Sequence, residues 1–255
     1  MVRGIYTAVM GMLVDQAIVD NASNNLANVD TTGFKRDTQA FRSYLQHEIL
    51  RIEAEDGRQK RTPLGTLERG VTLDEVRTDQ SQGAVDMTEV NTDFAIDGEG
   101  FFAIRRPNGE VYYTRNGNAK INAQGILVNH NNDPFLNDAG ETIPFTAFSL
   151  VDNQGNILQD GVIQGRLGLY SFESARHLEK VGYTLYKPTP RSGEPQADFE
   201  SAVYQGYQEK ATVNAISEMV TLIAAQRHFD IAQKVITTED QLLDAAINKV
   251  GTTRS

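Results

Sequence analysis

Cysteine and tryptophan are absent from the 255 residues. Without thiols the chain has no disulfide, no thiolate nucleophile and no Cys-ligated zinc, so its fold is indifferent to the redox state of its compartment. Long apolar runs are absent as well, and none approaches the roughly 20 consecutive apolar residues of a membrane-spanning helix. The opening Met-Val-Arg-Gly-Ile-Tyr-Thr-Ala carries one basic residue and meets Asp15 before an apolar stretch builds up, which predicts no cleavable secretory signal. Cations are scarce: 24 Lys and Arg against 34 Asp and Glu leave a formal charge of −10. Phosphate neutralisation needs clustered cations, and the longest cluster, Arg58 to Arg61, is short, which argues against a nucleic-acid partner.

Catalytic signatures are missing too. There is no G-x-x-x-x-G-K-[ST] phosphate loop, no G-x-S-x-G elbow and no H-E-x-x-H pair. His47, His130, His177 and His228 are scattered, with no second ligand at a metal-site spacing, so solvated or interface roles are expected. Asp97-Gly98-Glu99-Gly100 has an incomplete glycine fingerprint and no helix pattern after it, and reads as a hairpin turn. Neither an enzyme nor a cofactor or metal site is expected.

Glycine and proline are crowded into one part of the chain. All seven prolines and 17 of the 21 glycines fall between Gly57 and Gly206. Neither residue occurs from Met12 to Thr32 or from Tyr207 to Val250, so both flanks suit helices. In the first flank Ile5, Val9, Met12, Val19 and Leu26 recur at steps of four and three or their sum, with Gln16 and Ser23 between them. In the second, Leu222, Phe229, Ile236, Leu243 and Val250 repeat every seven residues, with Ala225, Ala232 and Ala246 in the alternate seam. Both are narrow heptad stripes. A continuous helix over 207–250 would be on the order of 60 Å long, and its natural neighbours are other long helices.

Between the flanks, short apolar runs alternate with turn dipeptides: Phe94-Ala-Ile96, Phe101-Phe-Ala-Ile104, Asn108-Gly109, Val111-Tyr-Tyr-Thr114, Asn116-Gly117 and Gln124-Gly125. That rhythm predicts an all-β domain. The expected fold is therefore mixed α and β, with long N- and C-terminal helices forming a coiled-coil-like stalk and a central all-β domain between them. The expected segments are 1–45, N-terminal helical; 46–89, extended hairpin or linker; 90–195, β domain; and 196–255, C-terminal helical. Within the second, Glu48 to Asp56 reads as a continuation of the first helix and Gly57 to Gly70 as an exposed hairpin or loop.

Ser23-Asn24-Asn25-Leu26-Ala27-Asn28-Val29-Asp30-Thr31-Thr32-Gly33-Phe34-Lys35 is the most informative stretch. Three amides at the end of an apolar stripe can bond carbonyls left unpaired there, or neighbouring backbone, and suit a helix end that faces another chain. Gly33 is free to take positive φ in the turn that follows, and Phe34 can anchor the redirected chain.

These residues resemble the N-terminal signature of the bacterial flagellar basal-body rod and hook family. Asp93-Phe-Ala-Ile-Asp-Gly98-Glu-Gly100-Phe101-Phe102, followed by Tyr113-Thr114-Arg115-Asn116-Gly117, is similar to that family's central β segment. Tyr204-Gln205-Gly206-Tyr207, Val213-Asn214, Glu218-Met219-Val220, Gln226-Arg227 and Lys234-Val235-Ile236 resemble its C-terminal helix region. Ala211-Thr212-Val213-Asn214 departs from the usual Ser-Asn-Val-Asn but keeps Val213 and Asn214. The resemblance implies a rod subunit of proximal or distal type, polymerising through its terminal helices into a tubular shaft that transmits motor torque. It implies copies of the chain, other rod and hook axial proteins and the flagellar type III export apparatus as partners, and a periplasmic rod location reached without a cleaved signal. The implied assembly residues are Ile5, Val9, Met12, Val19, Asn24, Asn25, Leu26, Asn28, Gly33, Phe34, Val213, Asn214, Leu222, Phe229, Ile236 and Leu243. The competing reading is a stalked β-domain adhesin or glycan-binding protein with Tyr112, Tyr113 and Tyr170 lining a sugar site.

Overall fold

The computed structural model describes residues 2–55, 58–159 and 161–251, and for several of these, including 45–47, 52–55, 58–61 and 249–251, the backbone alone. The side chains of His47, of the Arg58 to Arg61 cluster and of Val250 lie outside the described residues. In chain order the elements are α1 (Val2–Ala27), β1 (Asp37–Glu55), β2 (Arg58–Thr78), β3 (Val85–Met87), β4 (Phe94–Asp97), β5 (Phe101–Arg105), β6 (Val111–Thr114), β7 (Lys120–Ile121) and β8 (Leu127–Val128). There follow β9 (Leu150–Val151), β10 (Asn156–Gln159), β11 (Val162–Arg166), β12 (Leu169–Ser171), β13 (Glu179–Val181), β14 (Leu185–Lys187), β15 (Gln196–Ala197), β16 (Ala202–Gln205), β17 (Tyr207–Glu209) and α2 (Ala215–Gly251). An N-terminal helix, a central β region and a C-terminal helix thus follow one another as expected. The chain divides into two compact units: residues 1–24, 38–77 and 216–255, and residues 25–37 and 78–215.

In the first unit α1 and α2 lie side by side and antiparallel. A Cβ on Gly4 would stand 3.1 Å from Glu239 Oε1, and Asp15 Oδ1 is 3.8 Å from His228 Nδ1. The two pairs share one antiparallel register. Leu222, Phe229, Ile236 and Leu243 are half-buried along α2 and Ala225 is buried. The strands β1 and β2 pair as a long two-stranded ribbon. Its base is held where Thr38 Oγ1 donates to the Arg77 carbonyl at 3.1 Å, and Gln39 Nε2 reaches the Ala17 carbonyl of α1 at 3.0 Å.

Two expectations are corrected here. Residues Glu48–Glu55 are strand, not a continuation of the first helix, which stops at Ala27. Asn24, Asn25 and Asn28 prefer local backbone bonds to helix continuation, and the ladder with β2 then fixes the extended conformation. The C-terminal helix begins at Ala215 rather than 207, because Tyr207–Glu209 pairs antiparallel with Val85–Met87. Its 37 residues span about 55 Å at about 1.5 Å per residue. Asn214 takes the position before the first helical residue, where its residue type is favoured.

In the second unit six strands form one antiparallel sheet in the order β13-β14-β6-β5-β12-β15, and three more form β11-β10-β9. The central strand β5 shows why its sequence reads as one apolar run. Phe102 and Ile104 point into a core with Phe94, Phe135, Leu127 and Phe145, while Phe101 and Ala103 point the other way, among Tyr113, Phe172 and Tyr186. A strand covered on both faces has no polar alternate. Edge-to-face ring pairs, Phe102 with Phe135 at 5.9 Å and Phe101 with Tyr186 at 5.6 Å, lock both layers.

Asp97-Gly98-Glu99-Gly100 is not a hairpin turn. It carries the chain from β4, which pairs with β16, to β5 in the large sheet. A Cβ on Gly98 would stand 2.3 Å from Ser201 Oγ and one on Gly100 2.6 Å from Asp198 Oδ2, so the glycines are there because this loop packs directly on the 198–201 turn. Tyr112 and Tyr113 are buried, and Tyr113 stacks edge-on with Tyr170 at 5.5 Å. These tyrosines are core residues, not an exposed sugar platform. Among the described residues no helix is long and apolar enough to cross a membrane.

Candidate assembly interface and its buried junction

The expected assembly residues separate into two sets. Ile5, Met12 and Val19 of α1 and Leu222, Phe229, Ile236 and Leu243 of α2 are half-buried on the helices, and Val9 is exposed. Leu26 and Val213 are half-buried near the helix ends, and Asn24 and Asn214 are exposed. By contrast Asn25, Asn28, Gly33 and Phe34 are buried in their own chain.

The inward-facing set has a specific geometry. The Asn25 side chain bonds the backbone of Asp37 twice, Nδ2 donating to the carbonyl at 2.9 Å and Oδ1 accepting from the N–H at 3.1 Å. One amide thus stands in for a strand partner at the start of β1. Asn28 Oδ1 accepts from Thr31 Oγ1 at 3.3 Å, and its carbonyl accepts the Thr31 N–H at 3.0 Å, closing the turn after α1. Gly33 has φ +67°, and a Cβ there would meet Arg115 C and Asn116 N at 2.6 Å, so both conformation and space demand glycine. Its N–H donates to the Glu209 carbonyl at 2.7 Å. Phe34 is fully buried, with Lys180 Nζ 3.9 Å above its ring centroid.

Directly after Phe34 the chain buries a cluster of charges. Lys35 Nζ reaches Glu209 Oε1 at 2.5 Å and donates to the Ser81 carbonyl at 2.6 Å. Glu209 Oε1 also accepts the Gly83 N–H at 2.8 Å, while Oε2 lies 3.7 Å from Arg115 Nη1. Arg115 donates to the Gly98 carbonyl at 2.7 Å and packs over the Phe101 ring at 4.9 Å. All three side chains are essentially inaccessible. Two cations therefore share one carboxylate, and burial pushes the pKa values of Lys35 and Arg115 down while Glu209 pushes them up against it. Beside it, Lys180 Nζ pairs with Asp37 Oδ2 at 2.8 Å and donates to the Lys35 carbonyl at 2.9 Å. Burial raises the Tyr186 phenol, which lies in the same electrostatic neighbourhood, well above its ordinary value.

This junction joins residues from all three signature stretches: Gly33, Phe34 and Lys35; Gly98, Phe101 and Arg115; and Glu209. Sequence reasoning quoted Lys35 and Arg115 as signature residues without a role and missed Glu209. No local pattern marks Glu209: Tyr207 and Gln208 of β17 are both half-buried, so alternation does not single out the inward position. Elsewhere, His177 Nδ1 is 2.9 Å from Ser174 Oγ, and among the described residues no group of three or more His, Cys, Asp and Glu is placed to hold a metal.

Comparison with known families matches three segments in the order of these elements. Residues 5–35 match the family described as flagella basal body rod protein, residues 95–165 the flagellar hook protein FlgE/F/G D1 domain, and residues 204–249 the flagellar basal body rod FlgEFG protein C-terminal region. The flagellar basal-body rod protein FlgG of Buchnera aphidicola subsp. Baizongia pistaciae is 33% identical over 261 residues, covering 95% of this chain and 98% of the relative. FlgG of Caulobacter vibrioides is 34% identical, covering 95% and 97%, and the rod protein FlgF of the same organism is 29% identical, covering 98% of each. The matched segments hold the turn after α1, the Arg115 loop and Glu209 with α2, and the chain belongs to the flagellar basal-body rod protein family.

Proposed function

We propose that the chain is a structural subunit of the bacterial flagellar basal-body rod, polymerising through its terminal helices into a tubular shaft that transmits motor torque. The observation that carries this reading is the apolar surface on both helices. Tyr6, Val9 and Leu13 of α1 and Ile216, Val220, Ile223, Ile231, Val235, Leu242 and Ile247 of α2 are exposed. Apolar side chains left open along the length of both helices favour a protein-binding face. Covering each large side chain with a neighbouring molecule contributes about 1.5–3 kcal/mol.

In this reading α1 and α2 pair as a coiled coil along Ile5, Met12 and Val19 and along Leu222, Phe229, Ile236 and Leu243, and the exposed Val9 meets a neighbour. Asn24, Leu26, Val213 and Asn214 meet a neighbour at the helix ends. Asn25, Asn28, Gly33 and Phe34 act indirectly, by fixing the direction in which the chain leaves α1. The partners are copies of the chain, other rod and hook axial proteins, and the type III export apparatus that delivers the subunit to the periplasm without a cleaved signal. The role is mechanical and needs no catalysis. Electron microscopy of concentrated protein tests it: tubes are expected from the native chain and none from Phe229→Asp, whose strands keep their circular-dichroism signal. Tubes and normal swimming in Phe229→Asp would remove the stripe from assembly.

A further inference from the structure

The first unit carries two apolar surfaces that match each other and cannot meet within one chain. One is a groove of about 260 Å³ between α1 and the β1–β2 ribbon, lined by Met10, Leu13, Val14 and Ala17 with Phe41, Tyr44, Val71 and Leu73 on the ribbon side, and holding no charged residue. The other is a ridge on α2 formed by Ile216, Met219, Val220 and Ile223, which are 72%, 45%, 61% and 54% exposed. At about 100° per residue Ile216, Met219 and Val220 point away from Leu222, Ala225 and Phe229, while Ile223 lies at the edge of the seam, lining a hollow with Leu222 and Val19, and the groove residues point away from Gly4, Asp15 and Val19, the side of α1 that meets α2. The ridge therefore cannot fold back into its own groove.

We propose that the α2 ridge of one copy seats in the α1–ribbon groove of the next, with Leu13 against Val220. The inference rests on the reading that the chain polymerises, and adds which faces meet and in what register. Three observations select a second copy as the occupant. The two sets have the same spacing, i, i+3, i+4 and i+7, so they interlock over two helical turns. Copies repeated along a polar filament point the same way, and α1 and α2 are antiparallel within each, so the ridge enters the neighbour's groove antiparallel to its α1. That alignment places Met10 by Ile223, Leu13 by Val220, Val14 by Met219 and small Ala17 by bulky Ile216. It also brings Arg227, one turn beyond Ile223, to the ring of Tyr6, which is exposed, giving the apolar contact a cation–π end stop. Groove and ridge are different patches on one molecule, so the contact is heterologous, the class of contact from which an open helical array can be built.

The chain has no cysteine, which makes the register directly readable. Leu13→Cys chains carrying a tag are mixed with untagged Val220→Cys chains at a polymerising concentration and oxidised with copper-phenanthroline in air. The expected product is a disulfide-linked pair of one tagged and one untagged chain, and the doubly substituted chain gives a ladder of three or more on a non-reducing gel. Where either substitution blocks polymerisation, Ala17→Cys with Ile216→Cys gives the same readout. Polymers visible by electron microscopy without mixed cross-links, or with tagged chains linked only to tagged chains, overturn the interlock alone. Absence of polymer from the native chain at any attainable concentration overturns both the interlock and the assembly reading.

Discussion

Replacing Glu209 with glutamine should strike the second unit harder than any surface change, because it removes the one carboxylate that pairs with both buried cations. Lys35 Nζ sits 2.5 Å from Glu209 Oε1 and Arg115 Nη1 3.7 Å from Oε2, all with almost no access to solvent. The glutamine keeps the volume and one acceptor oxygen for the Gly83 N–H, so the perturbation is chiefly the lost charge. Removing one partner of a buried pair costs about 3–5 kcal/mol, because the remaining charge is desolvated and unpaired. For a cooperative unit of this size each kcal/mol shifts the melting point by about 2–4 °C, so Glu209→Gln should melt roughly 6–20 °C below the native chain. Circular dichroism of the strand signal reads the change. The exposed pair Lys187–Glu110, at 2.9 Å, supplies the control, and Glu110→Gln should leave the transition in place. Adding Lys35→Met to Glu209→Gln should recover part of the loss, since one stranded cation is then gone. A Glu209→Gln chain melting within about 2 °C of the native one would refute the reasoning, because at that size the carboxylate contributes no more than a surface charge.

Three further outcomes follow from the same junction and the sheet above it. Gly33→Ala should destabilise by at least about 2 kcal/mol in denaturant titrations, since alanine at φ +67° is strained and its Cβ would overlap the 115–116 peptide. Asn25→Ala should cost about 2–4 kcal/mol by orphaning the N–H and C=O of Asp37, and Asn25→Asp should not rescue it, because aspartate lacks the donor and adds a buried charge. Burial pushes the Tyr113 phenol up to about 12. A raised folded pKa in an acid means stabilisation that is complete below about pH 10, the ordinary phenol value, and is lost as pH rises from there toward 12. Absorbance at phenolate wavelengths should accordingly show Tyr113→Phe losing no amplitude near pH 10; a lost step there would place Tyr113 in water.

The helices and the sheet were legible for different reasons. The Leu222, Phe229, Ile236, Leu243 repeat survives as a half-buried face because a heptad needs only a neighbour of any kind, and α1 supplies one. The continuous run Phe101 to Ile104 announced a strand covered on both sides. The ribbon strand Glu48–Glu55 was opaque, since its Glu, Leu, Arg and Ile residues favour a helix in isolation and only pairing with β2 overrides them. Of the signature asparagines, Asn25 bonds backbone, at Asp37, and Asn28 accepts from the Thr31 hydroxyl, and both turn into their own chain. Glu209 stayed hidden because a buried charge is defined by partners distant in sequence, Lys35 174 residues away and Arg115 after β6, which no local pattern encodes.

Amide hydrogen exchange of the native chain, measured free and after polymerisation, tests the central claim most directly: that the outward faces of α1 and α2 are completed by other copies. The account predicts that α2 amides from Ile216 to Leu243 exchange far faster than those of Phe101 to Ile104 in the free chain, and become comparably slow in the tube. Helix amides already as slow as the central strand in a proven monomer, and unchanged by polymerisation, would contradict it.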